Sequence, residues 1–373
     1  QFVFCLDNKW LLFNELFKVY VTPFIQVGSA LDLSHGTKAY PVKQVAKDAG
    51  INLHWSSDGK KMHWTLGEEY TTVDLSDAFD MTSNTPVEKF EAKSSGIPIA
   101  LTLATDKPRG LIAYKNARII TMKGDEVIED GVILVKDNRI EAIGAAASVR
   151  IPEGTKTIDC EGKTIMPGIV DVHAHLGTFR YGLSPQQQWS YFANLAFGVT
   201  TTHDPSSNSE MVFSQSEMVK AGNMVGPRIY STGIILYGAE GDFKAEINSL
   251  DDAKSALRRT KAYGAFSVKS YNQPRRDQRQ QVIHAARNLN MMVVPEGGSF
   301  FYHNMTQILD GHTGIEHNIP IAPVYDDVIK LWSASETGYT PTLIVAYGAV
   351  NGENYFYQKN NVWEDEKLLR FYP

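Results

Sequence analysis

The chain has 373 residues, 43% hydrophobic and 21% charged, with a net charge of −6. That is ordinary globular composition, long enough for two or three domains at roughly 100–200 residues each. The acidic balance argues against a nucleic-acid partner, and no apolar run reaches the ~18 residues of a membrane span.

Cys5 and Cys160 lie in unrelated contexts, so no disulfide framework is expected. "QFVFCLDNKW" is no signal peptide, lacking a basic start and a small-residue cleavage site. With "EDEKLLRFYP" at the other end, the chain reads as a segment cut at both ends.

Residues 1–105 carry a weak repeat. "DNKWLLF" (7–13) and "DGKKMHW" (58–64) share an Asp-opened turn, a lysine and then apolar residues, offset by 51 residues. "HWSSDGKKMHWTLGEEYTTVDL" predicts three short strands joined by tight turns. Short strands at that period suggest a partial β-propeller, with a generic β-meander as the alternative. His54 and His63 fall here and receive no role. Residues 106–165 alternate apolar and polar positions, with turns at "KGDE" and "KDNR". They predict a small antiparallel β-sandwich.

From residue 166 to 373 short apolar strands alternate with amphipathic helices. The strands are expected at 168–174, 198–204, 227–233, 266–271, 291–296, 314–317 and 339–345. Repeated β-then-α predicts a parallel sheet with crossover helices. Seven strands fit an α/β fold of the (β/α)8 TIM-barrel type that lacks its eighth strand. A doubly wound open sheet is the rival, weakened because no GxGxxG loop follows any strand.

The strand ends carry the chemistry. In "TIMPGIVDVHAHLG" (164–177), His173 and His175 are two apart, so on a strand they face one way. They lie toward the C-terminal end, where barrels build active sites. Two imidazoles make half of a metal site. Lys269 ("SVKSYNQP"), Glu296 ("VVPEGG") and His317 ("GIEHN") end three further strands. A lysine aimed into a barrel is costly unless paired or modified. Carbamylation by carbon dioxide would turn it into an anionic oxygen ligand; pairing with a carboxylate is the bland alternative. Nitrogen and carboxylate donors suit Zn2+, with Fe, Mn or Ni also allowed. Tyr271, two residues after Lys269, and His203, at the end of the second strand, are candidate substrate contacts. Asp204 could line the pocket with His203 or cap a helix, and His312 is read as structural. Arg275 and Arg276 could grip a substrate carboxylate but read more simply as solvated.

These residues resemble the metal-dependent amidohydrolase superfamily. "MPGIVDVHAH" looks like its first-strand signature, and the β segment before it is similar to the family's small sandwich. "GVTTTHD", "VKSY", "GIEHN" and "TPTL" resemble its second, fourth, sixth and seventh strands. The resemblance covers roughly residues 107–350. The upstream segment resembles the TolB-type propeller of a branch related to imidazolonepropionase and prolidase-like enzymes.

The resemblance implies that His173 and His175 bind the more buried metal and that carbamylated Lys269 bridges two metals. His317 would bind the second. The family's strand-five histidine is replaced here by Glu296, with His303 as a weaker substitute ligand. Its general-base aspartate, on strand eight, is expected beyond the C-terminus. The implied activity is hydrolysis of amide, cyclic-amide or peptide C–N bonds of a small-molecule substrate by a metal-activated water, with one or two Zn2+. A mononuclear deaminase and a binding or scaffold protein that has lost catalysis stay open. So do a homo-oligomer and the compartment; the propeller resemblance points to a periplasmic or secreted protein, with the cytoplasm as the alternative. No membrane partner is expected.

Overall fold

In the computed structural model, which describes residues 1–177, 183–238, 244–273, 275–298, 300–342 and 353–372, the repeat becomes two equivalent turns. Asp7 Oδ1 accepts the Lys9 amide at 3.1 Å, and Asp58 Oδ1 accepts the Lys60 amide at 3.1 Å. The same backbone bonds close both. The amides of Cys5 and Asn8 donate to Trp10 and Cys5; those of Ser56 and Gly59 donate to Lys61 and Ser56. Short acidic side chains that bind the backbone two residues on are what make such turns. The strands that follow, Trp10–Glu15 and Lys61–Leu66, are inner strands of two separate four-stranded antiparallel sheets.

Trp10, Leu12, Val21, Met62, Trp64 and Phe79 form one shared core, with Trp10 edge-on to Phe79 at 4.8 Å. Full burial of each such side chain is worth roughly 1.5–3 kcal/mol. Residues Trp10 to Phe13 are buried on both faces, since Leu11, Phe13 and Tyr20 pack into a second cluster. That is why this strand reads as a continuous apolar run.

Next, Leu111–Ile120, Val127–Lys136 and Arg139–Ala145 form an antiparallel meander. Lys156–Asp159 and Thr164–Ile165 add to its first strand in parallel. The "KDNR" turn holds Asp137 at φ 57°, a left-handed conformation that aspartate tolerates. Cys5 and Cys160 are both buried and free.

Residues from Ile169 onward build a mixed α/β region with parallel pairing throughout. Ile169–Asp171, Val199–Asp204 and Arg228–Ser231 form one sheet. Lys244–Glu246, Ile235–Tyr237, Ser267–Ser270 and Met292–Pro295 form a second. Gly314–Glu316 and Gly338–Thr340 form a third, linked to the second by a bridge between Glu296 and Glu316. Helices Ser209–Ala221, Leu250–Ala262, Arg276–Leu289 and Phe301–Asp310 lie between them in sequence. Ser249 caps the second of these, accepting the Asp252 amide at 3.1 Å while its hydroxyl reaches the Asp252 carboxylate at 2.8 Å. Among the described residues no helix is long and apolar enough to cross a membrane.

The strands differ in detail from those expected. Among the described residues, hydrogen bonding groups the parallel strands into three sheets. The first strand ends at Asp171, not at 174. Asp171 Oδ1 accepts the His173 amide at 3.0 Å and turns the chain out of the ladder, so His173 and His175 follow the strand instead of sitting on it. Strands Ile235–Tyr237 and Lys244–Glu246 were not foreseen; three residues each leave too little periodicity to read. Of the expected strand 339–345, residues 338–340 form it, and 343–345 lie outside the described residues.

His312 is structural, as read. It is 2% exposed, and its Nδ1–H donates to the Gln307 carbonyl at 2.9 Å. Burial lowers its pKa from 6.5 to about 4. Between those values the unfolded chain binds a proton that the folded chain refuses, so stability falls as pH drops from 6.5 to 4. Urea unfolding of His312→Gln across that window is expected to show an acid-induced loss smaller than wild type by about 3 kcal/mol. Parallel curves for the two proteins would contradict this.

Candidate metal centre

Lys269 closes the strand Ser267–Ser270, Glu296 follows Met292–Pro295, and His317 follows Gly314–Glu316. Because these strands run parallel, the three residues emerge at the same end. Lys269 Nζ lies 2.9 Å from Glu296 Oε2, and His317 Nε2 lies 3.6 Å from Glu296 Oε1. The His173 ring centroid is 4.8 Å from that of His317 and 5.1 Å from that of His175. All five residues singled out from the sequence therefore share one cluster.

Local backbone chemistry holds them. The Ala174 amide donates to the His203 carbonyl at 2.9 Å, anchoring the His173–His175 segment to the next strand. Gly297 donates to the Glu316 carbonyl at 2.9 Å, and a Cβ there would stand 2.6 Å from that oxygen. Only glycine lets the Glu296 loop approach so closely. His317 takes φ 71°, unusual for a residue with a side chain and the kind of strain that collects at functional sites. Its amide donates to Thr340 O at 2.9 Å, and its Nδ1 is 2.7 Å from Thr342 Oγ1.

The structure adds a residue that sequence reasoning passed over. Glu316 is 4% exposed, and its carboxylate accepts from His173 Nδ1. A strand sends neighbours to opposite faces, so Glu316 and His317 were not expected together. The left-handed backbone at His317 cancels that alternation. The available signal was an acidic residue in the apolar run "GIEHN".

Electrostatics favour a neutral His175 and an ionised Glu296. His175 has an exposed surface, yet lost hydration of its ring, reinforced by His173 and Lys269, lowers its pKa to about 4. Burial pushes Glu296 upward, but the His317 hydrogen bond and the Lys269 charge outweigh it and bring it to about 2. Lys269 is 1% exposed, so the pair with Glu296 is what makes its burial tolerable.

Among the described residues no three His, Cys, Asp or Glu side chains already converge as a metal cage. Lys269 holds Glu296, and Glu316 holds His173. The donor chemistry nevertheless fits a divalent ion. His173 Nε2 is buried without a hydrogen-bond partner while Nδ1–H is committed to Glu316. A carboxylate on one imidazole nitrogen is the usual way to present the other to a metal.

The remaining candidates separate. The Tyr271 ring lies 5.5 Å from Lys269 Nζ and packs edge-on to Tyr237 at 5.7 Å, beside the cluster. His203 turns inward, with Nε2 2.8 Å from Ser267 Oγ and Nδ1 3.3 Å from Val172 O, which leaves its ring engaged by the protein. Asp204 accepts from the Leu176 and Ser206 amides and shapes the turn. Arg276 pairs with Asp310 at 2.8 Å and Arg275 with Asp277 at 3.6 Å. His303 Nδ1 lies 3.5 Å from Arg279 Nη1.

No family model matches the chain. Over 65 residues it is 45% identical to the imidazolonepropionase of Sphingopyxis alaskensis, covering 17% of this chain and 16% of that protein. The imidazolonepropionase of Bacillus cytotoxicus is 29% identical over 151 residues, 39% of this chain and 34% of that one. The matched stretches thus span between a sixth and a third of these relatives. Among solved structures, a Xaa-Pro dipeptidase with methionine bound in its active site aligns at TM-score 0.52. It covers 71% of both chains at 18% identity, a likeness of fold.

Proposed function

We propose that the chain belongs to the amidohydrolase superfamily, a reading supported by its local likeness to imidazolonepropionases, and that it is a metal-dependent hydrolase of carbon–nitrogen bonds in a small amide, cyclic amide or peptide. The observation that carries the reading is the gathering of His173, His175, Lys269, Glu296 and His317 at one end of parallel strands. We read those strands as part of a (β/α)8 barrel, the sheet of 111–165 as its companion sandwich, and the two N-terminal sheets as a partial propeller.

In this reading His173, His175, His317 and Glu296 hold one or two divalent ions, zinc by donor type. When bound, such an ion acidifies water and polarises a carbonyl. The chain's own part is to prepare the donors. Glu316 fixes the tautomer of His173, and Glu296 keeps its charge below neutral pH. Tyr271 forms a wall beside which a substrate can be oriented. Lys269 becomes a ligand once its neutral amine attacks carbon dioxide, forming an N–C bond and releasing a proton. The Lys269–Glu296 ion pair also supports a second reading: the lysine stays an ammonium group and the site is mononuclear, as in a deaminase.

The zinc-supplemented protein is to be assayed against dipeptides, N-acyl amino acids, cyclic imides and amino-substituted heterocycles, reading amine or ammonia release. Hydrolysis in at least one C–N class, abolished by His175→Ala, is expected. Turnover that survives in the variant would refute the site, and turnover of the heterocycles alone would favour the deaminase.

A further inference from the structure

A second, unrelated site lies where the N-terminal sheets meet the α/β region. A cavity of about 150 Å³ opens between Asn14 and Phe17 on one side and Asn208, Arg259, Thr260 and Tyr263 on the other. Arg259 is 7% exposed, and its guanidinium carbon stacks 3.8 Å from the Phe17 ring centroid. Its Nε has no hydrogen-bond partner, and among the described residues the guanidinium makes no ion pair. The carboxylate whose charge reaches it, Asp48, is already taken. Arg258 donates to it from Nε at 2.9 Å and from Nη2 at 3.2 Å, and Ser255 donates its hydroxyl.

A buried guanidinium is the side chain least able to shed its charge, and leaving it without an acceptor is costly. The cavity lining also includes the start of the 13-residue helix Ser209–Ala221. The first amides of a helix have no carbonyl partner within it, and they favour negative charge. The Asn208 side chain satisfies Met211, the third of them. The Tyr263 and Thr260 hydroxyls add donors. Among the lining side chains Glu210 is the one carboxylate, and it is exposed and therefore solvated.

We propose that this cavity binds a small oxyanion, phosphate or a carboxylate, between the Arg259 guanidinium and the first turn of helix Ser209–Ala221. Seated there, the anion bridges the N-terminal sheets and the α/β region and supplies the acceptor that Arg259 lacks.

Thermal unfolding is to be followed while sodium phosphate or sodium acetate replaces sodium chloride at matched ionic strength. A ligand that binds only the folded chain raises Tm with the logarithm of its concentration, by roughly 5 °C near a hundredfold excess over Kd. That rise is expected in the wild type and in His173→Ala, absent in Arg259→Met, and weakened in Arg259→Lys. Whichever salt acts at lower concentration identifies the source of the oxyanion. No rise in the wild type with either salt overturns the site, whether or not the variants fold. So does a rise that persists in Arg259→Met, while a rise lost only in His173→Ala assigns the anion to the metal centre.

Discussion

Replacing Glu296 with leucine is expected to destabilise the metal-free protein by about 3–5 kcal/mol. The reason is Lys269, which is 1% exposed and has its ammonium 2.9 Å from Glu296 Oε2. Deleting the carboxylate strands a buried positive charge, and that penalty exceeds anything the ion pair itself contributes. Replacing both residues, Lys269→Met with Glu296→Leu, removes the stranded charge and is expected to recover most of the loss. Chemical denaturation of the four proteins of this double-mutant cycle reads the coupling directly. A neutral Glu296→Leu would mean that Lys269 is not an ammonium group in the metal-free chain. A stabilised one would mean that it already carries a carbamate, repelled by Glu296.

The second large effect concerns activity. Under the proposed function, Lys269→Ala is expected to lower kcat/KM by roughly 10³-fold or more, because it removes either a metal ligand or the charge that holds Glu296 in place. If the lysine acts as a carbamate, a small carboxylic acid in the medium should enter the vacated space and restore part of the rate. If it acts as an ammonium partner of Glu296, no acid will help. Kinetics with and without added propionate separate the two, and an unimpaired Lys269→Ala would exclude both.

The cluster was legible because its members lie at or just beyond the ends of short parallel strands. Lys269, Glu296 and His317 stand out against valines and isoleucines, and parallel pairing brings them to one end. The pair of Asp turns was legible for a similar local reason, since an acidic side chain bonding two residues ahead needs nothing from the rest of the molecule. What stayed hidden depends on tertiary geometry. Glu316 and His317 both reach the cluster, with the backbone at His317 turned left-handed, which strand alternation does not anticipate. His203 looked available at a strand end, yet Ser267 draws it inward. Arg259 sits in "SALRRTKA", which reads as the solvated face of a helix until Phe17 covers it. The grouping of the parallel strands into three sheets is likewise a matter of long-range hydrogen bonding that no short window encodes.

Metal content by elemental mass spectrometry, after loading with zinc and removing the excess, tests the central claim most directly in the wild type and in His173→Ala. His173 is the informative position because its Nε2 is buried without a partner while Glu316 holds the other nitrogen. The account predicts one to two equivalents in the wild type, two if Lys269 bridges, and a clear loss in the variant. A wild type that retains no metal, or a His173→Ala protein that retains as much, would contradict it.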